Sequence, residues 1–322
     1  KEGMRIDQSV VNSSGKAMIE KGAYLDDFYI EYLQKKGVGG VYIQEGEPDP
    51  DELELQIPQY TKDLIEKSRV EDRTKVTLTE SVRKRVGEGI QFLYNNTDAG
   101  NFSEITDNVA NELMKTITDN DAVAVDINML KVSDEYTFKH SVDVATMAMV
   151  IAKKYGLSDK EIRDLGVSGL LHDVGKSKIP NEVLNKPGKL TDEEFALMKQ
   201  HTLFGFNILK KRNEFSNAIM CGVLQHHEKI NGRGYPLGNS AGIIAVADIY
   251  DALVTERPYK KAFAKNTAIE MIMTMTDELD LNIMRSFLGS VILYSVDSIV
   301  QLSNGEAAKV VKNSLENCLR PT

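Results

Sequence analysis

The sequence contains no tryptophan and only two cysteines, Cys221 and Cys318, in 322 residues. Two cysteines cannot form the disulfide framework that holds small secreted domains together, and such scarcity is typical of a reducing compartment such as the cytoplasm. No run approaches the roughly 18 apolar residues that a membrane-spanning helix needs. The first residues, KEGMRIDQSVV, lack the apolar stretch of a signal peptide. We therefore predict a cytoplasmic chain without a membrane span.

The sequence also has fewer basic than acidic residues. Lysine and arginine total 39 against 48 aspartates and glutamates, which gives a net charge of −9. A protein whose main partner is a nucleic-acid polymer needs a basic surface, so that class is disfavoured. A small phosphate ligand remains compatible with this charge, because a few local cations can hold it. The length allows two or three modules, each with its own core.

The chain divides into four stretches by pattern. Residues 1–46 predict a small α/β module, with hairpin-like apolar runs around a Ser-Ser-Gly turn, an amphipathic helix and a returning strand. Residues 47–116 predict an acidic linker followed by connecting helices. Helices are predicted to dominate residues 117–287, and residues 288–322 change to β-rich runs around an Asn-Gly turn at 304–305. The predicted fold class is therefore mainly α.

Local signals support the helical interpretation. Apolar side chains recur at helical spacing at Ile105, Val109 and Leu113. Two capping boxes, beginning at Ser158 and Thr191 and each completed by a glutamate three residues later, predict helix starts in the helical body.

All five histidines lie in this helical body: His140, His172, His201, His226 and His227. A single histidine on an apolar helix is more often a satisfied core residue than a ligand. Five of them on helices with apolar faces, two of them next to an acidic residue, are harder to explain in that way. Because imidazole is the commonest transition-metal ligand and carboxylates complete a mixed donor set, the pattern predicts a metal centre.

The spacing within HDVGK adds to this. Lys176 follows His172 by four residues and Asp173 by three, so in one continuous helix all three would project to one side. Leu165 and Gly169, at the same spacing before His172, indicate that this side faces the interior.

The adjacent pair His226–His227 needs a different geometry. Neighbouring residues lie about 100° apart on a helix, so both rings cannot share one face in mid-helix. A helix that ends at this pair and continues into NGRG could turn both rings to one centre. Ile219 and Val223 place His226 on the inward face, whereas Cys221 lies off that face and is interpreted as a core residue.

Two further carboxylates, Asp248 and Asp251, lie three apart in an apolar helix that Pro258 is expected to end. Asp251 is readily explained as a cap or as the partner of an arginine. Asp248 has no cationic neighbour in sequence and is the better candidate ligand. The following segment carries three cations, Arg257, Lys260 and Lys261. Such a cluster is usually solvated surface, but beside a metal site it could hold a phosphate.

These motifs together resemble the HD-GYP family, a bacterial branch of the HD phosphohydrolases. The similarity runs in order through HSVDVA, LLHDVGKSKIP, NKPGKLTDEEF, MKQHTLFGFNIL, HHEKINGRGYP, VADIYDAL and RPYKKA, over roughly residues 117–285. Residues 3–43 also resemble an accessory module that precedes some HD-GYP domains.

The resemblance implies a helical bundle whose core holds two or three iron or manganese ions and which hydrolyses cyclic di-GMP to pGpG or GMP. The implied metal ligands are His140, His172, Asp173, His201, His226, His227 and Asp248. Asp173 would bridge two ions about 3.5–4 Å apart, which would acidify a bridging water. Lys176 would neutralise charge on the phosphate, and Lys176, Arg257, Lys260 and Tyr235 would contact substrate.

Three departures from the family pattern bear on these expectations. Tyr136 stands where members with a third metal carry a glutamate, so we expect two metals. The stretch 237–247 is shorter than usual, and Gly242 replaces a usual arginine. Residues 277–296 are also shorter than the corresponding stretch of the family.

Other functions remain open from the sequence. The chain could be a cyclic-dinucleotide receptor that has lost turnover. A receptor that only binds its ligand, however, has no need of seven metal-binding side chains. It could instead act on a mixed dinucleotide such as cyclic GMP-AMP, or on nucleotides in general, which the GRGYP motif disfavours. Residues 1–46 could sense a signal, form a homodimer or dock a partner.

Overall fold

A computed structural model describes residues 10–11, 17–19, 33, 75–76, 78, 80–118, 124–125, 136–237, 242–255, 262–294, 296–302 and 304–313. The chain separates into two compact units, Lys1–Ser68 and Arg69–Thr322. In the first unit, strand β1 (Val10–Val11) pairs antiparallel with strand β2 (Ala17–Ile19), as expected for a hairpin around the Ser-Ser-Gly turn. The helix predicted after this hairpin, apart from Leu33, and the following strand and acidic linker lie outside the described residues.

The second unit is mainly helical, which confirms the predicted fold class. Its helices are α1 (Glu80–Asn95), α2 (Phe102–Thr118), α3 (Tyr136–Tyr155), α4 (Asp159–Leu171), α5 (Asn181–Leu184), α6 (Asp192–Lys199), α7 (His201–Arg212), α8 (Asn217–Gln225), α9 (Ile243–Val254), α10 (Lys265–Thr274) and α11 (Leu281–Leu288). A 3₁₀ helix, Val174–Lys178, separates α4 from α5. No helix among the described residues is both long and apolar enough to cross a bilayer.

Helix α3 is the centre of this unit. Its residues 140–151 are buried without interruption, and it packs against α4, α9, α11 and α1. Helix α4 approaches α3 closely at Gly169, where a Cβ atom would lie 2.7 Å from the backbone of Ala145. The two helices that carry His140 and His172 are therefore held backbone to backbone.

The connecting helices α1 and α2 contribute directly to the same core. Ile90 and Leu93 of α1 and Phe102 and Leu113 of α2 are fully buried. Helix α1 contacts α3 and the 3₁₀ helix, and helix α2 contacts α4. The apolar stripe predicted in α2 is thus the face that packs on the helical body.

The observed helix boundaries place several of the predicted site residues at helix ends. Both predicted capping boxes are present, at Ser158 for α4 and at Thr191 for α6. The prediction of one helix through HDVGK is wrong, because α4 ends at Leu171 and the 3₁₀ helix begins at Val174. The cause is close packing: a Cβ atom on Gly175 would collide with the backbone of α7, so the chain must leave the α4 axis here.

The described residues of this unit also include two pairs of short strands. Strand β3 (Lys75–Val76) pairs parallel with β4 (Ala124–Val125). Strand β5 (Ile299–Gln301) pairs antiparallel with β6 (Ala307–Lys309), and Gly305 takes a φ of +87° in the turn between them. The predicted Asn-Gly hairpin is confirmed. The prediction that Pro258 ends its helix is wrong, since α9 already ends at Val254.

Candidate metal centre

Seven candidate ligands from five parts of the chain meet in the interior of the second unit. His140 comes from α3, and Asp248 comes from α9. His172 and Asp173 follow the last residue of α4, His201 is the first residue of α7, and His226–His227 follow α8. Four of the five histidines therefore lie at helix ends, where the chain can aim a ring away from the helix face. The expected helix end at the His226–His227 pair is confirmed.

Three of the rings are oriented by the same local device. Nδ1 of His172, His201 and His226 donates to the backbone carbonyl three residues earlier, at Gly169, Met198 and Val223, over 2.7, 2.7 and 2.8 Å. A carbonyl can only accept, so Nδ1 carries the proton, and in the neutral ring Nε2 bears a lone pair. All three lone pairs point to the centre.

The inward nitrogens approach one another closely. Nε2 of His201 lies 3.1 Å from Nε2 of His226, and Nε2 of His172 lies 3.2 Å from Nε2 of His140. Nε2 of His201 and Nε2 of His226 are both neutral acceptors, so they repel each other at this distance, and a cation between them would remove the repulsion. The donor set therefore fits a divalent transition metal.

Asp173 occupies the middle of the centre. Its Oδ2 lies 3.4 Å from Nε2 of His172 and 3.8 Å from Nε2 of His140. Its Oδ1 lies 3.4 Å from Nε2 of His201 and 3.9 Å from Nε2 of His226, is buried, and has no hydrogen-bond partner among the described residues. Each carboxylate oxygen thus faces a different pair of rings, which is the arrangement a bridging ligand needs.

His140 differs from the other rings because two carboxylates hold it. Nδ1 contacts Oδ2 of Asp251 over 2.6 Å, and Nε2 lies 3.2 Å from Oδ1 of Asp248. The sequence suggested that Asp251 is a helix cap or the partner of an arginine, but within the described residues its carboxylate instead orients His140. Its other oxygen accepts from the hydroxyl of Thr255. A buried aspartate in an apolar helix needs a partner, but the sequence does not reveal which residue that is.

The protonation states suit metal binding at most of the rings. Burial lowers the pKa of His201, lowers that of His226 strongly, and lowers that of His227 to about 4, so these rings are neutral at pH 7. Burial also opposes charge on His140, but hydrogen bonds to Asp248 and Asp251 outweigh it and raise its pKa to about 10. A cation at His140 must therefore displace a proton.

The two central carboxylates are ionised. Burial opposes ionisation of Asp173, yet Lys176 and His172 lower its pKa well below the usual range. Burial likewise opposes the charge of Asp248, and the hydrogen bond with His140 lowers the pKa of Asp248 below its usual value. Both therefore offer negative charge to a cation at neutral pH.

The ligand atoms form three overlapping groups, each within 4.8 Å. One contains His140, His172 and Asp248, and another contains His201, His226 and His227. The third, His172, Asp173 and His226, joins the first two. The described part of the chain thus offers three overlapping groups of side chains that could hold a metal ion, and the group with Asp173 overlaps the other two.

The Gly-Tyr-Pro loop covers His227. The rings of His227 and Tyr235 stack with centroids 4.7 Å apart, and the amide of Tyr235 donates to the carbonyl of His227. Glu228 is buried and accepts from the amide of Leu237. Glu228 thereby fixes the loop, a role that sequence reasoning missed although HHE places it beside the ligands.

The remaining predicted site residues divide into two sets. Nζ of Lys176 lies 2.5 Å from Oδ2 of Asp173, at the edge of the centre. Arg257, Lys260 and Lys261 lie outside the described residues, as do the side chain of Tyr136 and the loop 238–241. Cys221, interpreted as a core residue, is exposed, because α8 turns that face to solvent.

Comparison with known proteins agrees with this geometry. Residues 124–283 match the family model of the HD domain. A cyclic di-GMP phosphodiesterase of Pseudomonas aeruginosa is 33% identical over 257 residues, which are 77% of this chain and 59% of that protein. A 3′3′-cGAMP-specific phosphodiesterase of Vibrio cholerae is 32% identical over 188 residues, covering 56% of this chain and 42% of its own length. The chain thus spans less than two thirds of either relative.

A solved structure shares the fold. It is an HDG"Y"P protein from Bdellovibrio bacteriovorus, with a TM-score of 0.52 and 20% sequence identity over 89% of this chain and 95% of that one.

Proposed function

The chain belongs to the HD-domain family, and we propose that it is a metal-dependent phosphodiesterase that hydrolyses cyclic di-GMP to pGpG, GMP or both. The observation that carries this proposal is the position of Asp173 between two groups of metal-ligand type, with one carboxylate oxygen toward each. Paired divalent ions are a recurrent solution for phosphodiester hydrolysis, because they supply Lewis-acid activation of both water and phosphate.

In this proposal the residues of the chain have separate tasks. His140, His172 and Asp248 hold one ion, and His201, His226 and His227 hold the other. Asp173 binds both, so its negative charge offsets the repulsion between them. Because the rings are already oriented by carbonyls or carboxylates, the ligands need little rearrangement.

Lys176 is the proposed phosphate-neutralising residue. Its ammonium lies beside the bridging carboxylate while its side chain is 30% exposed, so it borders both the centre and the solvent from which substrate arrives. A fixed cation there stabilises negative charge that develops on phosphate oxygens. We assign Arg257 and Lys260 to the binding of the same substrate through its phosphates.

The metals in this proposal are two ions of iron or manganese. The ligands are nitrogen and oxygen donors, which suit these metals, and no thiolate belongs to the groups found in the described residues. We propose two rather than three ions, because Tyr136 replaces the glutamate that a third ion would use.

The substrate assignment follows the relatives. The curated relative that matches the larger share of this chain carries the name of a cyclic di-GMP phosphodiesterase. Tyr235, which stacks on His227, offers an aromatic face at the centre that can contact a guanine base. A mixed dinucleotide, cyclic GMP-AMP, is the second candidate, because one relative is named for it.

We further propose that residues 1–46 form an accessory module that senses a signal, forms a homodimer or docks a partner. In this division residues 47–116 connect it to the catalytic domain at 117–287, and residues 288–322 form a β-rich tail. We also propose a cytoplasmic location, because the sequence has only two cysteines.

The proposal is tested with anaerobically purified protein. Metal analysis is followed by incubation with cyclic di-GMP and, in parallel, with 3′3′-cyclic GMP-AMP, and the products are separated by chromatography. We expect two iron or manganese ions per chain and preferential release of pGpG or GMP from cyclic di-GMP. Tight binding of intact nucleotide by metal-replete protein would identify a receptor instead, and preferential turnover of cyclic GMP-AMP would reassign the substrate.

A further inference from the structure

Tyr94 connects helix α1 to the metal centre from outside the matched HD domain. It lies in the last turn of α1, thirty residues before the first matched residue, and is 7% exposed. Its hydroxyl lies 2.9 Å from Oγ of Ser141 and donates to the carbonyl of Leu170 over 3.2 Å. Ser141 follows His140 in α3, and Leu170 precedes His172 by two residues in α4.

The direction of these hydrogen bonds follows from the chemistry of the groups. A phenol keeps its proton at neutral pH, since its ordinary pKa is about 10. A phenol has one proton to donate, and the carbonyl of Leu170 can only accept it. The hydroxyl of Ser141 therefore donates to Oη of Tyr94, and a single side chain joins α3 to α4.

The hydrogen bond to Leu170 provides a partner for a backbone carbonyl at the end of α4. The last four carbonyls of an α-helix have no partner within the helix, and a buried one needs another donor. At the end of α4 the carbonyl of Gly169 receives Nδ1 of His172, and the carbonyl of Leu170 receives Tyr94. These two bonds fix the turn from which His172 and Asp173 project.

We propose that Tyr94 is a positioning residue for the divalent cation held by His140, His172 and Asp248. This inference rests on the proposed function in that it requires this group to bind a metal. Tyr94 acts on the ligands through the backbone: it also interacts with the backbone of Asp173, and it sets the spacing between the helices that carry His140 and His172. Loss of such outer hydrogen bonds typically weakens metal binding about 10- to 100-fold.

The proposal predicts an asymmetry between the two ions. The hydrogen bonds of Tyr94 described above lead to the neighbours of His140 and His172. His201, His226 and His227 are oriented by α7, α8 and the Gly-Tyr-Pro loop. Removal of the hydroxyl should therefore weaken the ion of His140, His172 and Asp248 more than the other ion, whereas a general loss of stability would weaken both alike.

The test uses full-length, metal-free protein titrated with Co²⁺, and follows both stoichiometry and the visible absorption spectrum. We expect wild-type protein to bind two ions, and Tyr94→Phe to bind one of them about 10- to 100-fold more weakly and the other with a smaller loss of affinity. The spectrum of the weakened ion should also change. Tyr155→Phe is the matched control, because Tyr155 is 44% exposed at the end of α3 and should leave both ions unchanged.

Ser141→Ala and the double variant provide a second test that does not depend on the folding of Tyr94→Phe. Ser141→Ala should weaken the same ion, and the double variant should lose less than the product of the two single effects, since both remove one shared bond. Equal weakening of both ions, or no effect of Ser141→Ala, would overturn the inference. Wild-type protein that binds no metal would defeat the proposed function as well, whereas two ions retained by Tyr94→Phe with wild-type affinity would defeat this inference alone.

Discussion

Nδ1 of His140 lies 2.6 Å from Oδ2 of Asp251, and both side chains are buried between α3 and α9. This contact commits Nδ1 to a carboxylate and leaves Nε2 as the nitrogen that faces Asp248 and the centre. Asp251 therefore defines the ligand face of His140, although it is not itself a member of the groups that could hold an ion.

Asp251→Asn should weaken the ion at His140 without unfolding the protein. The amide keeps the size of the carboxylate but loses the charge that makes the ring a better donor, so we expect about a 10- to 100-fold loss of affinity. Metal titration of the purified variant measures this. Thr255→Val is the control, because it removes only the hydroxyl that contacts Asp251. Unchanged affinity in Asp251→Asn would show that the contact does not tune the ring.

Asp173→Asn should remove both ions and abolish hydrolysis. Each oxygen of Asp173 faces a different pair of rings, so the loss of its charge affects both sites at once and leaves two cations without a shared anion. Elemental analysis and product chromatography give the two readouts. Asp164→Asn is a matched control, since Asp164 is a buried aspartate two turns earlier in α4 that pairs with Lys160. A folded Asp173→Asn protein with two ions would rule out the bridge.

Lys176→Gln should separate chemistry from metal binding. Lys176 is not a ligand, so we expect full metal content together with turnover reduced roughly 10- to 100-fold, the range of a charge-assisted contact of about 1.5–3 kcal/mol. The effect should fall on kcat more than on KM. Lys178→Gln is the control, because Lys178 lies on the same 3₁₀ helix but is exposed. A change in KM alone would show that Lys176 does not neutralise the negative charge that develops during the reaction.

Gly175→Ala should destabilise the protein and loosen the centre. The added methyl group collides with the backbone of α7 at His201 and Gly205, which cannot move without shifting a ligand. We expect a loss of about 1–3 kcal/mol or more in the free energy of unfolding, together with weaker metal binding. Gly87→Ala in α1 provides the opposite control: nothing lies within 4 Å of its Cβ position, so it should stabilise by about 0.5–1 kcal/mol. Equal denaturation midpoints for Gly175→Ala and wild-type protein would show that the added methyl group causes no clash.

The sequence allows much of the centre to be predicted, because its parts are local. The His-Asp pair, the double histidine and the helix end at NGRG each lie within a few consecutive residues, and the structure brings these segments together. Capping boxes likewise depend on residues three apart, and both predicted boxes are present.

The contacts that the sequence did not reveal are those between distant parts of the chain. Asp251 meets His140 across 111 residues, and Tyr94 meets Ser141 across 47. The break in the helix at His172 arises because Gly175 packs against α7, again a tertiary cause. Periodicity identifies which face of a helix is inside but does not identify the partner on the other side.

The shared bond of His172, His201 and His226 to a carbonyl in the preceding turn has a consequence for the rate at which metal is acquired. Each of these rings is set by its own helix end, so each is already in the required tautomer before a cation arrives. His140 must give up a proton, because, despite its burial, its hydrogen bonds to Asp248 and Asp251 raise its pKa to about 10, and no ring among these three has to flip. Loading should therefore be fast at the ion held by His201, His226 and His227 and slower, with a rate that rises with pH, at the ion beside His140.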